Sequence, residues 1–154
     1  MRYFKMNGCG TDFVIFDART VGSLQLSAAQ AQAIADRNGG IGSDQGISVE
    51  RSIRADAFLR IWNADGSEVA ACGNAARCVG SLLIDELGEG PVKIETEAGI
   101  LRAEKTTLGA ITVDMGSPLL KWEEVPIAKP MDTARLEYAV DVGVAAASQP
   151  AACS

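Results

Sequence analysis

A chain of 154 residues holds one core of ordinary size, or one domain and part of another. With 47% apolar residues it is expected to fold, and its net charge of −6 repels phosphate backbones and anionic lipid, which excludes nucleic acid and membrane surfaces as partners. No apolar run reaches the ~18 residues of a membrane span, and the opening MRYFKMNGCGTDF lacks the apolar stretch of a secretory signal, so a cytoplasmic protein with reduced thiols is expected.

Residues 1–6 and 13–17 read as two short strands around a glycine-rich turn, NGCGTD. LSAAQAQAIADRNGG predicts a helix. Ser27 is its N-cap, Gln30 completes a capping box, and Ala31, Ile34 and Ala35 form the apolar face. Gly39 or Gly40 should stop it. A strand follows around residues 47–51. In ADAFLRIWN, Ala57, Leu59 and Ile61 share one face while Phe58, Arg60 and Trp62 share the other, and the strand ends at the turn NADG. AARCVGSLLIDELG, residues 75–88, predicts a helix apolar nearly all round, with Arg77 its only charge between Ala75 and Ile84. Such a helix is buried, so strands should wrap around it. VKIETEAGILRAE predicts a hairpin turning near Ala98-Gly99, and residues 111–115 another strand. Pro118, Pro126 and Pro130 then mark a connection between domains.

The chain has four cysteines, no CxxC pair and no histidine, so a zinc site is not expected. Without histidine, a general base must be another group, and a cysteine in a positive potential is the simplest choice. Cys72 stands at the start of the second helix, where free backbone amides and the helix dipole favour a thiolate or a bound carboxylate. Gly73 leaves room for a ligand to approach the backbone, and Asn74 offers an amide at the same rim. The plainer alternative is that Cys72 only packs. Cys78, inside the apolar run, reads as core; Cys9 lies in a glycine turn with nothing beside it to activate it; Cys153 says little. NGCGTD and NGGIGSDQG lack the Lys-Ser/Thr ending of a phosphate loop and read instead as rim loops, with Thr11, Asp44 and Gln45 facing a polar ligand.

KMNGCGTDFVIFDA, ADRNGGIGSDQ and above all NADGSEVAACGNAARC resemble diaminopimelate epimerase, in order along the whole chain. The resemblance implies a cofactor-independent, metal-free isomerase interconverting LL- and meso-2,6-diaminopimelate on the route to lysine and peptidoglycan. It implies an α/β (α+β) fold of two similar domains, each with mixed strands wrapped around a central buried helix, and an active site that takes one cysteine from each. One thiolate removes the Cα proton and the other thiol protonates the opposite face. On this resemblance Cys72 is the catalytic cysteine, Gly73 and Asn74 are helix-start ligands, and Asn63 and Gln45 are polar substrate contacts. Thr11 stands where the family carries asparagine, and Ala75 where it carries glycine. Residues 1–117 correspond to the N-terminal domain, and 118–154 to a linker and the start of a largely absent second domain. Family members are nearly twice as long, so the chain is expected to be a fragment, inactive alone. The small-molecule amino acid is the expected partner, and a homodimer of the full-length enzyme stays open. A racemase of another amino acid on the same fold, as in the proline racemase type, and a non-catalytic ligand-binding domain are the alternatives.

Overall fold

The computed structural model describes residues 1–88, 90–125, 127 and 130–133. The chain divides into two compact units, Met1–Met115 and Gly116–Ser154. Described residues of the second unit hold a short 3₁₀ turn, Trp122–Glu124, and Thr133 Oγ1 donates to the Leu120 carbonyl. Cys153 and much of the segment expected to begin a second domain lie outside the described residues. Among the described residues, no helix is long and apolar enough to cross a membrane.

The first unit is a mixed sheet curled around one helix. Its strands are β1 (Tyr3–Gly8), β2 (Thr11–Asp17), β3 (Gln45–Glu50), β4 (Ala57–Asn63), β5 (Glu68–Val69), β6 (Val92–Thr96), β7 (Gly99–Lys105) and β8 (Ile111–Asp114). Their order is β1-β2-β3-β4-β6-β7-β8, with the short β5 on β4; β2/β3 and β4/β6 are parallel. Helix α2 (Gly73–Leu87) packs on β1, β2, β6, β7 and β8, so both edges of the sheet close on it. The expected architecture, strands wrapped around a buried helix, is the one found.

The β1–β2 turn is tighter than the sequence implies. Gly8 pairs with Thr11, leaving only Cys9 and Gly10 to turn, with φ of 52° and 85°. Two successive left-handed residues match the right-handed twist of a hairpin. Strands β2 and β3 are buried on both faces. Phe13, Ile15, Ile47 and Val49 join the cluster around α2, while Val14, Phe16 and Ser48 are buried outside it. Helix α1 (Ala28–Ala35) packs on β3 and β4, with Ala31 and Ala35 buried and likewise outside that cluster. These chain segments therefore support two layers, one on each side of the sheet.

Helix α1 has the expected capping box of Ser27 and Gln30 but ends at Ala35, short of the glycines expected to stop it. Asp36 leaves the helix with ψ of 122°, and its carboxylate accepts from the Asn38 amide. The returning loop then donates from Ile41 and Gly42 to Ile34 and from Ser43 to Ala35, satisfying the last carbonyls. Gly40 still matters there, since a Cβ would lie 2.1 Å from the Ala33 carbonyl oxygen.

Helix α2 ends at Gly88, left-handed with φ 77°, as a glycine after a helix should be. It is not enclosed all round: Arg77, Asp85, Glu86 and Leu87 are exposed. Gly80 lets the sheet approach closely, because a Cβ on it would lie 2.6 Å from the Ala103 Cβ. Gly80→Val is therefore expected to lower stability by about 1–3 kcal/mol through overpacking, since a β-branched residue regains little of glycine's helix penalty. A urea midpoint equal to wild type would contradict this.

Candidate active site

Cys72 is the N-cap of α2, with extended backbone (φ −148°, ψ 117°). Its carbonyl accepts the first helical hydrogen bond, from Ala76 at 2.9 Å. The amides of Gly73, Asn74 and Ala75 precede that bond and have no partner within the helix. The Cys72 side chain makes no capping bond to them, and its thiol is half-buried. One helix turn thus places a thiol beside open N–H donors at the positive end of a dipole, an arrangement suited to a carboxylate.

The β1–β2 hairpin presses on this turn. A Cβ on Gly8 would lie 3.0 Å from Cys78 Sγ and 3.2 Å from the Asn74 carbonyl oxygen. Thr11, opening β2, meets Asn74, whose Nδ2 donates to Thr11 Oγ1 at 3.4 Å. A single hydroxyl therefore takes this position. On the other side Met115 lies over Gly73, with Sδ 3.4 Å from where a Cβ would stand. Gly73 thus faces a movable thioether, whereas the sequence implied open space.

Gln45 and Asn63 open β3 and close β4, directly across from one another. Gln45 Nε2 donates to Asn63 Oδ1 at 2.9 Å, and Asn63 Nδ2 donates to Ser67 Oγ at 3.0 Å. The sequence-derived residues therefore form two groups: Cys72, Gly73, Asn74 and Thr11 in one, Gln45 and Asn63 in the other. Among the described residues no hydrogen bond joins the two groups.

Asp44 is partly exposed and is held by two partners. It accepts from the Asp12 amide and from Arg37, at 3.0 Å and 2.8 Å. The Arg37 guanidinium, with the Lys5 ammonium, also holds the Asp12 carboxyl well below the usual carboxylate range. This cluster ties the end of α1 to the start of β2.

Cys78 is buried in the core as expected, and burial pushes its thiol up from the ordinary value, with Cys72 and Cys9 adding to the effect. Cys9 is exposed, and the Arg77 guanidinium donates to its Sγ at 2.7 Å. The reading that nothing stands beside Cys9 is thus corrected. The signal was present in Arg77, the only charge between Ala75 and Ile84, but its partner lies 68 positions away. Iodoacetamide is expected to label Cys9 and Cys72 well before Cys78, read by peptide mass spectrometry. Labelling of Cys78 at the rate of Cys72 would contradict the burial argument. A cavity of about 400 Å³, with Phe4, Arg19, Val79, Leu83 and Glu86 among its lining, sits elsewhere, along the later turns of α2.

A family model described as diaminopimelate epimerase matches residues 3–121. Among curated relatives, the diaminopimelate epimerase of Acidiphilium cryptum (strain JF-5) is 49% identical over 99% of this chain and 53% of its own length. That of Phenylobacterium zucineum (strain HLK1) is 50% identical over 88% of this chain and 48% of its own. The chain spans about half the length of the curated relatives it matches. Similar solved structures include a hydroxyproline epimerase from Agrobacterium vitis, with TM-score 0.51 and 17% identity over 72% of this chain and 40% of its own. A PhzF-family phenazine biosynthesis protein from Enterococcus faecalis gives TM-score 0.52 and 17% identity over 68% and 40%. These two likenesses describe the fold alone.

Proposed function

Because the chain belongs to the diaminopimelate epimerase family, we propose that it supplies one half of a cofactor-independent enzyme that interconverts LL- and meso-2,6-diaminopimelate by proton transfer at Cα. The observation that carries this reading is the Cys72 thiol at the N-cap of α2, beside amides with no helical partner.

In the proposed reaction the substrate's α-carboxylate rests on the amides of Gly73 and Asn74. The Cys72 thiolate takes the Cα proton, forming S–H, and the electron pair of the broken C–H bond moves into the carboxylate. Oriented amides and the helix dipole stabilise the charge that develops there. A second thiol on the opposite face gives its proton to Cα, which inverts the centre; the reverse reaction exchanges the two roles. Proton transfer by a positioned group supplies roughly 10²–10⁴-fold in rate. Thr11, Gln45 and Asn63 contribute the polar contacts to the substrate.

Neither other described thiol suits the second role, since Cys78 is buried and Cys9 is engaged by Arg77. The second cysteine is proposed to come from the part of the relatives' length that this chain does not span, which makes the chain inactive alone. A cytoplasmic enzyme, with homodimers of the full-length protein, goes with this reading. The test is LL-diaminopimelate in D₂O. A full-length protein carrying this chain should form the meso isomer and place deuterium at Cα, and the 154-residue chain should do neither. No Cα exchange by the full-length protein would overturn the activity; epimerisation by the isolated chain would overturn the two-domain requirement.

A further inference from the structure

The polar chain behind Gln45 has a direction, and one carboxylate sets it. Asp65, in the turn after β4, accepts from the Ser67 hydroxyl at 2.6 Å and from the Ser67 amide at 2.9 Å. Those two donors also hold the Asp65 carboxyl below its ordinary value. An ionised carboxylate only accepts, and a serine hydroxyl has one proton to give. With that proton directed at Asp65, Ser67 Oγ must accept from its other neighbour, Asn63. Asn63 therefore turns Nδ2 toward Ser67 and Oδ1 toward Gln45, at 3.0 Å and 2.9 Å. Gln45 in turn directs Nε2 at Asn63, and its Oε1 is left buried with no partner among the described residues. The reverse orientation would set two acceptors, Ser67 Oγ and Asp65 Oδ1, against each other at hydrogen-bond distance.

The turn is braced so that this direction is kept. Gln32, on α1, donates to the Asp65 carbonyl at 2.6 Å. Gly66 has φ of 82° and sits so near α1 that a Cβ would lie 2.5 Å from the Ala28 carbonyl oxygen. Asn63 and Ser67 are also joined through the backbone, N–H to O=C at 2.8 Å.

We propose that Asp65, acting through Ser67, is a positioning residue that fixes the orientation of the Asn63 and Gln45 amides, so that Gln45 presents a carbonyl oxygen and this corner of the site receives a hydrogen-bond donor. The orientation itself is a property of the chain. Its use, reception of an ammonium group of an amino-acid substrate, rests on the epimerase reading above.

Asp65→Ala removes the acceptor, so the Ser67 hydroxyl is released to donate to Asn63 and the amide chain can run in either direction. In the wild-type 154-residue protein, labelled with ¹⁵N and ¹³C, a scalar coupling through the hydrogen bond is expected between Gln45 Nε2 and Asn63 Cγ. In Asp65→Ala it should weaken, with a coupling between Asn63 Nδ2 and Gln45 Cδ appearing beside it. The wild-type coupling surviving unchanged in the variant would overturn the proposal. Should Asp65→Ala not fold, Ser67→Ala cuts the chain at its middle; the coupling should then weaken as both amide orientations become populated, and an unaltered coupling would again overturn it. Neither measurement uses substrate or Cys72, so the relay can fail while the epimerase reading stands. In the full-length enzyme Asp65→Ala is expected to raise the KM for diaminopimelate about two- to fivefold, as an ammonium meets an N–H in place of a carbonyl in part of the population, with a much smaller fall in kcat. A weakened coupling with unchanged KM would overturn the ammonium assignment alone.

Discussion

Cys72→Ser in the full-length enzyme is expected to lower kcat for diaminopimelate epimerisation by roughly 10²–10⁴-fold while leaving the protein as stable as wild type or slightly more so. The two halves of this outcome come from the same address. Cys72 is an N-cap that makes no capping hydrogen bond. Serine is among the preferred N-caps, and its hydroxyl accepts from the third helical amide, a bond worth about 0.5–2 kcal/mol. That hydroxyl is a far weaker acid than a thiol, so it cannot serve as the base. Activity and melting temperature should therefore move apart. Cys72→Ala removes the base without adding a cap, and should lose activity with little change in melting temperature. Turnover of Cys72→Ser within a few-fold of wild type would remove Cys72 from the chemistry. A collapse of stability would show that the sulfur serves chiefly as packing.

Phe13→Ala is expected to cost about 3–5 kcal/mol, among the largest losses of stability anticipated for a single side chain in the first unit. Phe13 is fully buried in the cluster that also holds Ala75, Cys78 and Val79 of α2. It neighbours Gly8, where a Cβ would lie 3.5 Å from its ring. In β2 it pairs with Met6 on one side and Gln45 on the other. The missing ring would leave a cavity beneath the hairpin that presses on the first turn of α2, and neighbouring backbone is too constrained by pairing to collapse into it. Urea unfolding followed by circular dichroism reads the loss directly; a change below about 1 kcal/mol would mean that the ring is not the support described.

Much of this architecture is legible in the residues because local signals agree with one another. The capping box at Ser27 and Gln30, the alternation of Ala57, Leu59 and Ile61, and the apolar run of α2 ending at Gly88 each state one element with a physical reason. The end of α1 was not legible. Its terminus is set by loop amides of Ile41, Gly42 and Ser43 reaching back to helix carbonyls, a tertiary event that no local glycine announces. The same holds at the site. Cys72 is conspicuous because a thiol at a helix start is unusual, and the Gly73-Asn74 pair beside it marks a rim. Arg77 beside Cys9, and Asp44 tied into Arg37 and Asp12, depend on which side chains long-range folding brings together. The orientation of Gln45 depends on a proton count through Ser67 and Asp65, which needs distances.

The unequal covering of the sheet has a dynamic consequence. β2 and β3 bury side chains on both faces, whereas β7 and β8 bury residues on one face at most. Local opening is therefore expected to begin in the β7–β8 ribbon, with backbone amides of β2 and β3 the slowest in the unit to exchange with solvent deuterium. Cys72 sits between these regimes. The side bearing Thr11 and Gly8 belongs to the rigid slab, and the side bearing Met115 continues from the ribbon that breathes.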